Sequence, residues 1–211
     1  MHPARLFHET DPAILRQRMI DNPLALVTAI SDGRPIAAHA PVLPHEEGLS
    51  PEGWGPPALR FHLSAGNPVT KALLDGSEAL VVFTGIDGYV SPDWYGIDDQ
   101  VPTWNYLSVE AAGPVTRLDA AATRQMVDDL SAVFEAKLAP KPVWTSAKMT
   151  PARLEALLRG IVAFELVPTR FEGTTKLSQN KPHDAMARVA DALDATESGF
   201  ALAAEMRKLL P

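Results

Sequence analysis

The sequence predicts a mainly β, α+β protein: an antiparallel Greek-key or split β-barrel flanked by helices. Three observations predict it. Six or seven apolar or alternating runs of strand length follow one another in hairpin order, separated by Asp-Gly, Pro and Gly signals. Helices enter mostly late in the chain, with no β-α-β alternation that would build a parallel sheet. No GxGxxG or GxxxxGK[ST] loop occurs, so neither a dinucleotide fold nor a P-loop enzyme is indicated.

Asp11-Pro12 opens a helix, with Asp as N-cap and Pro in the first turn, that carries Ile14, Leu15 and Met19 on one side and ends near Asn22-Pro23. Leu24 to Ile30 is a buried strand. The Asp32-Gly33 turn then leads into a return strand, Pro35 to Leu43. Pro44 to Pro57 is rich in Pro and Gly and is expected as a surface excursion. Leu59 to Ser64 makes a third strand, Asn67-Pro68 opens a short helix reaching Gly76, and Glu78 to Gly85 makes a fourth strand. After a loop, a long strand runs from Thr103 to Leu118. Its alternation sets Thr103, Asn105, Leu107 and Val109 on one face and Trp104, Tyr106, Ser108 and Glu110 on the other.

Asp119 caps a helix expected to reach Ala139, with Met126, Leu130, Val133 and Leu138 as a core stripe. Thr150-Pro151 starts another that ends near Gly160. Ile161 to Gly173 reads as one strand, bulged or at an edge where Pro168 interrupts it. Lys176 to Pro182 is a polar connector, and His183 to Leu210 forms terminal helices. The expected division is a barrel domain over 1–182 and a helical extension over 183–211 packed on it.

At 211 residues, 46% hydrophobic and 21% charged, the chain suits a soluble globular protein with a real core. No window approaches the roughly 20 apolar residues of a membrane span, the N-terminus lacks a signal-like apolar core, and the expected compartment is the cytoplasm. Cysteine is absent, which excludes disulfides, thiolate metal sites and a Cys nucleophile. A formal net charge of −7 and the lack of any basic run argue against direct DNA binding, since phosphate contacts supply most of such affinity.

Chemistry-bearing residues concentrate in a few places. Tyr89 to Tyr106 holds all three tyrosines and two of the four tryptophans. Flat apolar faces beside Asn, Thr and Ser suit a planar heteroaromatic ligand, though they equally suit a packed core or dimer interface. Thr103 and Asn105 are polar groups on the face that Leu107 and Val109 make a core face, so each needs a partner. Ser64 to Lys71 leaves a strand and enters a helix, where free N–H groups at Asn67 and the Lys71 ammonium favour an anion. Lys176 to Lys181 frames Ser178, Gln179 and Asn180 with lysines. The six histidines form no HxxxH or HExxH pair, so a zinc hydrolase has no support. The adjacent carboxylates Glu46-Glu47 and Asp98-Asp99 are expected to be solvated.

YVSPDWY, VPTWNY, the GIVAFEL strand and KLSQN, in this order, closely resemble the PaiB-like family of FMN-binding negative transcriptional regulators. DGRPIAAHAPVL and FHLSAGNP resemble that family's earlier strands. The resemblance implies an FMN-binding split barrel akin to pyridoxamine-phosphate oxidase, working as a homodimer with FMN at the subunit interface. It implies Asn67 and Lys71 near the phosphate, and His39, Ser91, Trp94, Thr103, Trp104 and Asn105 around the ring or ribityl chain. Lys176, Ser178, Gln179 and Asn180 would approach from the connector. Three functions follow as alternatives: a flavin-linked regulatory or sensory protein, an FMN-dependent oxidoreductase acting on a small molecule, and a haem-binding split barrel with His39 or His62 as ligand.

Overall fold

The computed structural model describes residues 2–45, 56–73 and 77–211. Glu46-Glu47, most of the Pro44 to Pro57 excursion and the end of the helix expected to reach Gly76 lie outside them. The strands are β1 (His8–Glu9), β2 (Leu24–Ser31), β3 (Arg34–His45), β4 (Ala58–Ser64), β5 (Glu78–Val90), β6 (Thr103–Arg117), β7 (Ile161–Leu166) and β8 (Arg170–Lys176). Their order is β1-β8-β6-β5-β2-β3-β4-β7, and β6 also pairs with β7, closing a ring of strands. The pairings of β1 with β8, β2 with β3 and β5, and β7 with β4 and β6 are antiparallel. The helices are α1 (Pro12–Asp21), α2 (Pro68–Ala72), α3 (Ala120–Ala136), α4 (Pro151–Leu158), α5 (His183–Asp194) and α6 (Phe200–Arg207). Packing divides the chain into two compact units, one of Met1–Asp21, Thr84–Glu110 and Glu172–Pro211, the other of Asn22–Phe83 and Ala111–Phe171.

In the second unit the β2–β3 hairpin turns at Asp32 (φ 50°) and Gly33 (φ 71°), the positive pair that a tight two-residue turn demands. Inward residues alternate along the strands. Val27, Val42, Phe61, Val81 and Phe164 are almost wholly buried, and the Phe61 and Phe164 rings stack with centroids 5.5 Å apart. Asn67 caps α2 by accepting from the Val69 amide at 2.9 Å, and Asp119 caps α3 by accepting from Ala122 at 2.8 Å. β7 and β8 are separate strands where one interrupted strand is expected, because Pro168 has no N–H to give to a ladder. Their junction passes so close to Gly113 that a Cβ there would lie 2.2 Å from the Val167 carbonyl.

The expected core stripe of α3 is only partly a stripe. Met126 is buried and Leu130 half-buried, but Val133 and Leu138 are exposed, and the helix ends at Ala136 rather than Ala139. Helical spacing sets which residues share a face; only packing against another element buries that face.

In the first unit α1 starts as predicted, with the Asp11 carboxylate accepting from the Ala13 amide at 2.8 Å and Leu15 and Met19 buried. β5 continues through Gly85 to Val90 instead of stopping there. Gly85 marks a close approach, not a break: a Cβ would sit 3.0 Å from the Leu107 carbonyl. The core gathers Tyr95, Leu107 and Leu177 with Val189 and Leu193 of α5 and Leu202 and Met206 of α6. No described helix is long and apolar enough to cross a membrane.

Candidate functional site

The site is built on the first turns of β6 and the end of β8, both in the first unit. β6 alternation turns Thr103 and Asn105 to the side shared by Leu107 and Val109, as expected. Leu107 and Val109 are apolar and buried, whereas Asn105 is a buried amide at 0% exposure. Its partner comes from the connector 73 residues on: Asn105 Nδ2 lies 3.0 Å and Oδ1 3.1 Å from Ser178 Oγ. Tyr95 OH lies 2.8 Å from the same Ser178 oxygen. One serine hydroxyl has one proton to give, so at most one of Tyr95 and the Asn105 carbonyl receives it. The Asn105 amide also reaches Met206 Sδ at 3.5 Å.

Backbone geometry holds this cluster in place. Ser178 has φ 63°, the left-handed region that a non-glycine residue occupies at a cost. Tyr95 ends a single 3-10 turn, Pro92–Tyr95, whose terminal Gly96 has φ 62°. The Arg188 guanidinium donates to the Tyr95 carbonyl through Nε at 2.9 Å and Nη2 at 2.6 Å. A Cβ on Gly96 would lie 2.8 Å from Arg188 Nε, so the glycine also makes room for that contact.

Around the cluster opens a cavity of about 160 Å³, lined by Thr103, Asn105, Lys176, Ser178, Asn180 and Lys181 together with Phe7, Tyr95 and Val101. Lys176 Nζ donates to Thr103 Oγ1 at 2.7 Å, and burial holds its ammonium below the usual lysine range. With three N–H groups and one such partner, it has donors left for a ligand. Lys181 Nζ donates to Gln100 Oε1 and stands 5.2 Å above the Tyr95 ring. Among the described residues no carboxylate lines the cavity. The donor set therefore suits an anion or the carbonyl and imine edge of a planar ring.

Five of the predicted residues meet here: Thr103, Asn105, Lys176, Ser178 and Asn180. Gln179 turns inward on the connector itself, its carbonyl accepting from the Leu177 amide at 2.7 Å and its amide donating to the Thr175 carbonyl. Ser91 precedes the 3-10 turn, and Trp94, half-buried, packs on the unit's core instead of lining the cavity. Trp104 occupies the opposite face of β6, 54% exposed, with its ring edge-on to Tyr89 at 6.2 Å. His39, exposed on β3, and Asn67 with Lys71 belong to the second unit. Tyr95 and Lys181 also line the cavity, though neither is among the site residues that the resemblance implies. Both stand inside the motifs already singled out, YVSPDWY and the lysine-framed connector.

Comparison with known proteins gives three findings. Residues 1–170 match the family described as "Putative FMN-binding domain". The chain is 28% identical over 188 residues to "Protease synthase and sporulation protein PAI 2" of Bacillus subtilis (strain 168), covering 86% of this chain and 83% of that protein. Among solved structures it is similar to the FAD and heme binding protein from Mycobacterium smegmatis, with TM-score 0.57 and 22% identity, over 80% of this chain and 73% of the other. It is also similar to the flavocytochrome Anf3 from Azotobacter vinelandii, with TM-score 0.56 and 16% identity, over 83% and 72% of the two chains. At such identities the structural likeness shows a common fold.

Proposed function

The chain belongs to the FMN-binding family matched across its residues 1–170, and from that premise we propose that it is a homodimeric FMN-binding split-barrel protein with a regulatory or sensory role. This membership agrees with the PaiB-like resemblance carried by VPTWNY and KLSQN. One observation carries the reading: the two motifs supply a single cavity, where Lys176 and Lys181 bring ammonium groups beside Thr103, Asn105, Ser178 and Asn180 and, among the described residues, no carboxylate is in the lining. That chemistry fits part of FMN, either the phosphate or the pyrimidine edge of the ring. Bound flavin would supply hydride or electron transfer. The chain's own groups bind and orient: Lys176 offers charge, Asn105 an amide held by Ser178, and Tyr95 the wall. A cavity of about 160 Å³ falls below the roughly 300–1,000 Å³ of pockets that enclose a ligand of such size. That shortfall supports the homodimer, in which a second subunit would complete the site.

The test is retention of flavin. Purified protein is mixed with excess FMN, freed of unbound ligand and scanned in the visible range; FAD and haem are titrated in parallel. Retained FMN absorbance that Asn105→Leu and Lys176→Met each reduce is the expected result. No retention by the wild type would remove the flavin assignment. An FMN-dependent oxidoreductase is the second reading, since the fold is shared with redox proteins by name. Anaerobic NADH or NADPH bleaching the bound flavin would favour it over a sensor. A haem site would need His39 or His62, and a Soret band lost on their replacement would be required. Direct repression would need promoter DNA retarded at low salt, against a net charge of −7.

A further inference from the structure

The second unit carries another cavity, larger than the first, at about 430 Å³. It lies where the end of β6, the first turn of α3, α4 and the start of β7 meet. Leu118, Leu158, Ile161 and Ala163 give it apolar walls, and Arg117 and Arg159 stand on it with Glu155. The strands that frame it are fixed: the Leu118 amide donates to the Ala163 carbonyl at 2.9 Å, and Arg117 sits opposite Phe164 in the β6–β7 register.

Three features are unexplained by packing. α4 presents Leu154, Leu157 and Leu158, yet none of its residues is buried. A helix normally forms in a protein by burying an apolar face, and here Leu158 of that face lines the cavity. Among the described residues, neither Arg117 nor Arg159 has an ion pair or hydrogen bond from its side chain. Glu155 precedes Arg159 by four residues, the favoured spacing for a helical ion pair, yet no such pair forms. His62, whose register partner Ala163 is a wall of the cavity, carries a buried Nδ1 without a hydrogen-bond partner.

We propose that this cavity is a binding site for a small organic monocarboxylate with an apolar body. The apolar part would lie against Leu158 and Ile161. Its carboxylate would meet the two guanidiniums, which match its planar oxygens by paired N–H donation. Two arginines and one glutamate leave a single net positive charge on the lining, which matches a monoanion better than a phosphate dianion. The site lies in the other unit from the flavin cavity and does not depend on flavin.

The probes are 3-phenylpropionate, its alcohol 3-phenylpropanol and inorganic phosphate, titrated into the full chain with methyl-labelled Ile and Leu. Expected is a saturable shift of the Ile161 and Leu158 methyl signals with the acid, at least about tenfold weaker with the alcohol, and absent with phosphate. Arg117→Gln with Arg159→Gln should weaken the acid by about tenfold or more, and Glu155→Gln should strengthen it. All three positions are exposed, so the variants should fold, and unchanged spectra elsewhere confirm it. Acid and alcohol binding alike, a double variant binding as the wild type does, or no methyl shift at millimolar acid would each overturn the proposal.

Discussion

Ser178 joins two costs at one position: a left-handed backbone and a hydroxyl that serves both Tyr95 and Asn105. Ser178→Ala removes the hydroxyl and keeps the strain, leaving buried polar groups short of a partner, and should cost about 1–3 kcal/mol in chemical denaturation. Ser178→Gly removes both, so it should be less destabilised than Ser178→Ala by up to about 1 kcal/mol. Equal losses would show that backbone strain at 178 is negligible. Lys176 gives a pH signature. Burial holds its ammonium below the ordinary range, and a bound anion would raise it again. FMN affinity should therefore fall as pH climbs through the Lys176 titration, and Lys176→Arg, charged throughout, should abolish that fall. A fall unchanged by the substitution would place the anionic group elsewhere. His62 acts on stability instead. Burial lowers its folded value from 6.5, so the unfolded chain takes up the proton first. Its stabilising contribution is present above about 6.5 and lost as pH falls through the folded value. Replacing His62 with Gln should flatten the acid limb of the stability profile. At this scale the sequence showed that Thr103 and Asn105 needed partners, because strand alternation is local. It did not show that Tyr95 was one end of the answer, because a 3-10 turn carries no periodicity to aim a side chain.

Elements tell a related story through their glycines. The sequence reading ends the fourth strand at Gly85, and it takes β7 with β8 as one interrupted strand. The structure differs at both: β5 runs on past Gly85, which lies close against Leu107 of β6, and the chain breaks between β7 and β8 at Pro168, where the Val167 carbonyl comes close to Gly113. A Cβ at 113 would meet backbone at 2.2 Å, which no side-chain rotation relieves. Gly113→Ala should therefore lower stability by about 1–3 kcal/mol or more, with thermal or urea unfolding as the measurement. A loss below about 0.5 kcal/mol would mean the β7–β8 junction yields easily. The N-terminus of α2 permits a cleaner separation of roles. Asn67 already serves as cap, and Asp caps equally well. Asn67→Asp should leave stability unchanged while weakening FMN if the phosphate lies beside this helix, as the resemblance implies. Unchanged FMN binding would leave Asn67 a structural cap alone. Sequence spacing found the cap at once, since capping needs only neighbours in the chain.

For the whole molecule the open question is what covers the first unit's exposed apolar side chains. Tyr89 is 46% exposed, Trp104 54% and Val101 72%, and Val101 lines the proposed flavin cavity. Single exposed apolar residues need no explanation, but here two aromatic rings pack edge to face in the open, one of them on β6, which also carries the site. The proposed homodimer accounts for them: a second copy would bury Tyr89 and Trp104 and add the wall that a 160 Å³ cavity lacks. Light scattering on the eluting protein should then give twice the mass of the 22.8 kDa chain. Trp104→Glu would place a charge in that interface and should yield monomer that stays folded, since the side chain is half exposed. Because Trp104 lies on the face of β6 opposite Asn105, the substitution leaves the cavity's own donors in place. Loss of FMN binding together with dimerisation would mean that the partner completes the site. A monomer that binds FMN as tightly as the wild type would mean that one subunit suffices, and would separate assembly from cofactor.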